Sequence, residues 1–151
     1  MIVVIPCCKK DVHLAVANLA FAIHLDKTSS LKALIAHESD TCIDPVMELA
    51  KKFFSGVETF SYDPWTGNTM WPFPQNYAWQ EVARHIESKV GQPWFWWEQD
   101  AIPLKPGWLD AIDEAYKAGE RPFSGAVTSQ MGTYYMAGVA VYPKRDRKSV
   151  V

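Results

Sequence analysis

Apolar positions along the chain alternate between two kinds of pattern. Ile2 to Ile5 is an unbroken β-branched run closed by Pro6, which reads as a strand buried on both faces. Val12, Val16, Leu19 and Ile23 then recur at helical spacing and draw one apolar stripe. Leu31 to Ala36 is a second buried-strand run and leads into His37, Glu38, Ser39 and Asp40. Asp44-Pro45 reads as a helix start, with Asp44 as N-cap and Pro45 in the first turn. Val46, Leu49, Ala50 and Phe53 form its stripe, and Gly56 reads as its stop. Val57 to Tyr62 is a third strand. Residues 63–76 carry Pro, Gly and Trp without periodicity, the profile of a functional loop. Beyond it, Trp79, Val82, Ala83 and Ile86 share a helical face, and Pro93 to Trp97 reads as a strand. Pro106-Gly107-Trp108 starts another helix that ends at Gly119, and Phe123–Val127 and Tyr134–Tyr142 read as two last strands.

Strands and helices alternating in this way predict an α/β fold: a mostly parallel central sheet in a three-layer α/β/α sandwich. Ligands of such sheets sit outside the carboxyl ends of the strands. That rule selects Pro6-Cys7-Cys8-Lys9, His37-Glu38-Ser39-Asp40, Asp63-Pro64-Trp65 and Glu98-Gln99-Asp100.

Composition narrows the class. The 151 residues amount to one domain. A chain of that size buries roughly 68–70% of its unfolded surface and needs no disulfide or metal staple. A hydrophobic fraction of 48% with 21% charged residues excludes disorder. A net charge of −2 argues against a surface for long nucleic acids, so nucleic acid is not an expected partner. Cys7, Cys8 and Cys42 have no ligand spacing, and adjacent cysteines rarely bridge, so reduced thiols and a cytoplasmic protein are expected. No basic residue precedes the first apolar run, which therefore does not read as a signal peptide, and no run reaches a membrane span. Seven Trp make aromatic residues the compositional outlier.

Glu98 and Asp100 follow a strongly aromatic strand. If the strand continues through them, a period of two puts both carboxylates on one side. Two carboxylates at a dry strand end are costly unless neutralised, and a hard divalent cation does that together with substrate phosphates. The plainer reading is a solvated turn.

The segment Trp97-Glu98-Gln99-Asp100-Ala101-Ile102-Pro103-Leu104-Lys105-Pro106-Gly107-Trp108-Leu109 resembles the metal-binding strand end of GT-A glycosyltransferases. There a D-x-D or E-x-D triplet closes a strand, and a short apolar turn and a helix follow. The opening strand with its Cys-Cys-Lys-Lys loop, and Met136 to Pro143, are similar to that family's first strand and to the later strand that frames its donor and acceptor sites.

The resemblance implies a Rossmann-like GT-A fold and a metal-dependent glycosyltransferase. Asp100 would ligate Mn²⁺ or Mg²⁺ bridging the phosphates of a UDP- or GDP-linked sugar, and Glu98 would act through water or on the ribose. Pro6, Cys7, Cys8 and Lys9 would lie around the base and ribose. Glu38, Asp40, Gln99 and Asn76 would complete the nucleotide-sugar site. The residues themselves leave alternatives open: a solvated Lys9-Lys10 pair, small buried thiols at Cys7 and Cys8, turn capping by Asp40, N-capping by Asn76.

Trp65 and Trp71, with Phe73 in the same loop, are candidates for stacking on sugar or acceptor, whereas Trp79, Trp94 and Trp96 read as core. No general base stands out, since Asp110 and Asp113 read as solvated helix residues, so the catalytic residue and the acceptor are unassigned. His13, His24 and His85 read as ordinary surface or packing residues. No GxGxxG follows the first strand, which disfavours a nicotinamide enzyme.

Against the family the chain is short, and the His that often completes the metal site has no counterpart. The expectation is a domain over 1–143 and a basic tail over 144–151. It would be either a minimal or fragmentary enzyme of low activity, or one whose missing parts come from a second subunit of a homo-oligomer. The competing expectation is a nucleotide- or carbohydrate-binding module of the same fold without turnover.

Overall fold

Ile2–Cys7 forms β1, and all six residues are buried, because this strand lies in the middle of the sheet with helices on both faces. The computed structural model describes the chain apart from residues 71–72, 121–122, 131–132 and 145–151, so most of the basic tail lies outside the described residues. After β1 come α1 (Val12–Asp26), β2 (Ser29–Glu38), α2 (Asp44–Phe53), β3 (Phe54–Tyr62) and α3 (Phe73–His85). A π-helical turn, Ile86–Val90, continues α3 and stops at Gly91, whose φ of 64° suits a residue without a side chain. Then follow β4 (Trp94–Trp96), α4 (Trp108–Ala118), β5 (Ser124–Gln130) and β6 (Thr133–Tyr142).

The sheet order is β3-β2-β1-β4-β6-β5. β1 pairs in parallel with β2 and β4, and β2 with β3; β6 runs antiparallel to both β4 and β5. The alternation of side chains in each central strand divides the core in two. Val3, Ile5 and Cys7 of β1 and Phe95 of β4 pack with Leu19 of α1, Phe53 of α2 and Leu109 of α4. On the opposite face, Ile2, Val4, Leu34, Trp94 and Trp96 pack with Val82 and Ile86. These two cores, one on each side of the sheet, are the three layers expected from the alternating pattern. Leu19 and Leu34 are completely buried, and each such side chain contributes about 1.5–3 kcal/mol.

Several boundaries differ from the sequence reading. Asp44 lies inside the first turn of α2; the cap is Ile43, which makes no side-chain capping bond. Asp44 there faces the positive end of the helix dipole instead. α2 passes directly into β3 at Phe54, so Gly56 is a strand residue and not a helix stop. α3 begins at Phe73, which places Asn76 in its first turn rather than at its cap. β4 ends at Trp96, so period two does not carry through Glu98 and Asp100.

Asp113 corrects the expectation of a solvated acid. It is buried, 3.5 Å from the Met1 amino group and 2.6 Å from Lys117 Nζ, while Asp110 is exposed as expected. Among the described residues, no helix is long and apolar enough to cross a membrane.

Candidate active site

The chain proceeds from β1 outward to β2 and β3, then returns to place β4 on the other side of β1. This reversal opens a crevice at the carboxyl ends of β1 and β4, where doubly wound sheets bind ligands. A cleft of about 950 Å³ occupies that position.

The loop after β1 forms one wall, with Cys8, Lys9, Lys10 and Asp11. The Asp11 and Val12 amides donate to the Cys8 carbonyl at 3.1 and 2.9 Å, so the loop turns tightly into α1. Cys7 is fully buried, and burial first, then the neighbouring Cys8, pushes its thiol up to about 12. The Cys8 thiol donates to Asp11 Oδ2 at 3.5 Å and is also raised, chiefly by burial. Neither is a ready thiolate nucleophile at neutral pH.

Glu38, the last residue of β2, reaches the same cleft. Its carboxyl is raised above the usual range by burial and by the charges of Asp40 and Asp11, against a backbone amide bond from Lys9. Asp40 is exposed, 3.8 Å from Lys9 Nζ, and does not line the cleft. The Lys9–Asp40 pair is therefore a solvated contact worth little to stability.

The other wall is aromatic. Tyr62 ends β3, Trp79 comes from α3, Trp96 from β4 and Tyr142 from β6. Trp65 closes the side of the cleft, its ring 5.2 Å from that of Tyr77 and its indole N–H donating to the Asn68 carbonyl at 2.7 Å. Gln75 and Asn76, in the exposed first turn of α3, lie along the rim. Trp71 lies outside the described residues. Trp96, expected as core, is buried and also faces the cleft; Trp94 is core alone. His85 stacks on Phe60 at 4.1 Å, and His13 and His24 are exposed.

After β4 the chain turns sharply, with the Ala101 amide donating to the Glu98 carbonyl at 3.1 Å. Glu98 and Gln99 face the cleft, while Asp100 is exposed at the tip of the turn. Burial and the charge of Asp100 raise the Glu98 carboxyl, against a hydrogen bond from the Trp96 side chain. Among the described residues, no three His, Cys, Asp or Glu side chains come together as a metal cage. A half-buried carboxylate crowded by a second one is nonetheless a site that a hard cation relieves. Magnesium-like ions are commonly held by one or two carboxylates with substrate phosphates supplying further ligands. Glu98 in the cleft and Asp100 on the turn outside its lining are oxygen donors of the type such an ion takes.

Strand ends lead to the β1 loop, Glu38, Trp65, Glu98 and Gln99, which line the cleft. They missed Asp11, Tyr62, Trp79 and Tyr142. Tyr62 was within reach of the same rule, as the final residue of its strand rather than the residue after it.

The molecule superposes on a galactosyltransferase, LgtC, solved in complex with donor and acceptor sugar analogues, with a TM-score of 0.66 and 9% identity over 95% of this chain and 58% of that one. The chain has the GT-A glycosyltransferase fold. Residues 1–349 of S. aureus TarS superpose with a TM-score of 0.58 and 10% identity, over 95% of this chain and 46% of that one. The chain thus spans about half the length of the solved structures it matches. No family model and no curated protein matches its sequence. Within this GT-A sheet, the cleft, the Glu98–Ala101 turn and the β1 loop all lie at the carboxyl ends of β1 and β4.

Proposed function

We propose that the protein is a metal-dependent glycosyltransferase that takes a sugar from a UDP- or GDP-linked donor held in the β1/β4 cleft. The observation that carries this reading is the placement of half-buried Glu98 beside the Lys9-Lys10 loop in one cleft at the switch point of a GT-A sheet. Basic and acidic groups there line one cleft of about 950 Å³, in the range of small-molecule and cofactor sites.

In this reading Glu98 and Asp100 hold Mn²⁺ or Mg²⁺. Such an ion, when bound, would supply positive charge against the negative charge developing on the departing nucleoside diphosphate. Lys9 and Lys10 add positive charge at the phosphates, and Glu38 accepts hydrogen bonds from ribose hydroxyls. Pro6, Cys7 and Cys8 line the cleft beside the nucleoside, and Gln99 and Asn76 contact the donor. Asp40, paired with Lys9 outside the lining, acts on the nucleotide only through that lysine. Trp65, Trp79 and Trp96 offer flat apolar surfaces to a sugar ring and keep water away, which favours transfer over hydrolysis.

The test is incubation of the protein with Mn²⁺ and a panel of nucleotide sugars, with sugar release and transfer followed by NMR. Turnover of one donor above the metal-free control is expected. Tight nucleotide binding with no turnover of any donor would identify a binding module of the same fold instead.

A further inference from the structure

Among the described residues three polar side chains are buried: Asn18, Thr41 and Asp113. Asn18 sits on the buried stripe of α1, between Ala15, Leu19 and Ala22, where helical spacing calls for an apolar residue. Its side-chain amide does not serve its own helix. It donates to the Gln99 carbonyl and, at 3.3 Å, to the Ala101 carbonyl, both in the turn after β4. The Trp97 indole N–H donates to the same Ala101 carbonyl at 2.7 Å. Trp97 is itself fixed, buried against Trp108 at a ring separation of 4.8 Å. Beneath the turn, Ile5, Ala15, Leu19 and Trp97 pack closely around Asn18. Without Asn18, the Gln99 carbonyl would lose this donor.

We infer that Asn18, with the Trp97 indole, is the positioning residue that sets the Glu98–Ala101 turn, and through it the two carboxylates, for cation and donor binding. The inference rests on the functional reading above for its consequence and on three hydrogen bonds for its geometry. Asn18 touches neither ligand nor metal. It acts by fixing the backbone on either side of Asp100, so that Glu98 faces the cleft without a search through turn conformations. Groups that orient metal ligands in this way commonly govern affinity tenfold or more.

The test compares wild type, Asn18→Ala and Trp97→Phe. Trp97→Phe removes the second donor while keeping an aromatic ring against Trp108. The first measurement is amide hydrogen exchange at Ala101, whose N–H closes the turn onto Glu98. Exchange about tenfold faster at Ala101, with Val4 and Leu34 amides unchanged, is expected in Asn18→Ala, and a smaller change in the same direction in Trp97→Phe. The second is affinity for UDP and GDP with and without Mn²⁺. The enhancement by Mn²⁺ should fall about tenfold while metal-free affinity stays constant.

A merely structural role would raise exchange throughout the core and leave the Mn²⁺ enhancement intact, and that result overturns the inference. So does unchanged Ala101 exchange. If Asn18→Ala does not fold, Trp97→Phe decides the matter on the same two readouts. If wild type shows no Mn²⁺ enhancement, the functional reading fails, and the exchange comparison still decides whether Asn18 sets the turn.

Discussion

Trp65 is folded over Gly67 so closely that a β-carbon at residue 67 would overlap the indole ring. The same loop is tied internally by the Trp65 bond to the Asn68 carbonyl and by the Met70 amide, which donates to Asn68 Oδ1 at 2.9 Å. Gly67 is thus what allows Trp65 to stand as a wall of the cleft.

Gly67→Ala should displace Trp65 while leaving the core untouched, because residues 63–70 lie outside both apolar clusters. Ligand affinity should fall by about 0.5–1.5 kcal/mol, the size of one aromatic contact. The thermal midpoint should stay close to wild type. Calorimetry with the preferred nucleotide sugar and a thermal melt make the check. Unchanged affinity in both Gly67→Ala and Trp65→Ala would remove Trp65 from the site.

The three thiols should separate cleanly by reactivity. Cys42 is exposed, Cys8 half-buried and Cys7 completely buried with its thiol pushed up to about 12. Thiolate, not thiol, is the reacting form. Titration of the native protein with an aromatic disulfide reagent should show one fast thiol, lost in Cys42→Ser. A slower one, lost in Cys8→Ser, should be protected by a ligand that fills the cleft. Cys7 should react only on unfolding. Fast reaction at Cys7 in the folded state would contradict the buried β1 described above.

His85 predicts a pH dependence of stability. Its pKa is lowered, first by burial and secondarily by Lys89, against an opposing pull from Glu58. The ring stacks on Phe60, and the neutral form is favoured in the native state. The unfolded chain therefore takes up a proton before the folded one does. The stabilisation is complete above the ordinary histidine pKa of about 6.5 and declines as pH falls through the lowered native value. Urea midpoints measured between pH 8 and pH 5 should fall less in His85→Phe than in wild type. An identical fall in both proteins would show that His85 carries none of it.

The order of elements was legible because each buried strand is a compact β-branched or aromatic run. Ile2–Ile5 and Ala33–Ala36 have the unbroken apolar pattern of a strand covered on both faces. The site's edge was legible for the same reason: Glu38 and Glu98 stand at points where such runs stop. What local pattern could not supply is the direction each side chain takes after a strand ends. The turn that closes from Ala101 onto Glu98 cancels the period-two relation, so Glu98 and Asp100 differ in exposure. Asp113 was misread because its partner, the Met1 amino group, lies at the far end of the chain in sequence. Asn18 did leave a signal, a polar residue on an apolar helix stripe, but its partners in the Glu98–Ala101 turn are set by the tertiary fold.

Calorimetry of UDP and GDP binding, with and without Mn²⁺, in wild type and Asp100→Ala tests the proposed cation site most directly. Wild type should bind one nucleotide at least about tenfold more tightly with Mn²⁺, and Asp100→Ala should lose that enhancement while remaining folded. Mn²⁺-dependent binding that survives Asp100→Ala at wild-type affinity would contradict a cation held at the Glu98–Asp100 turn.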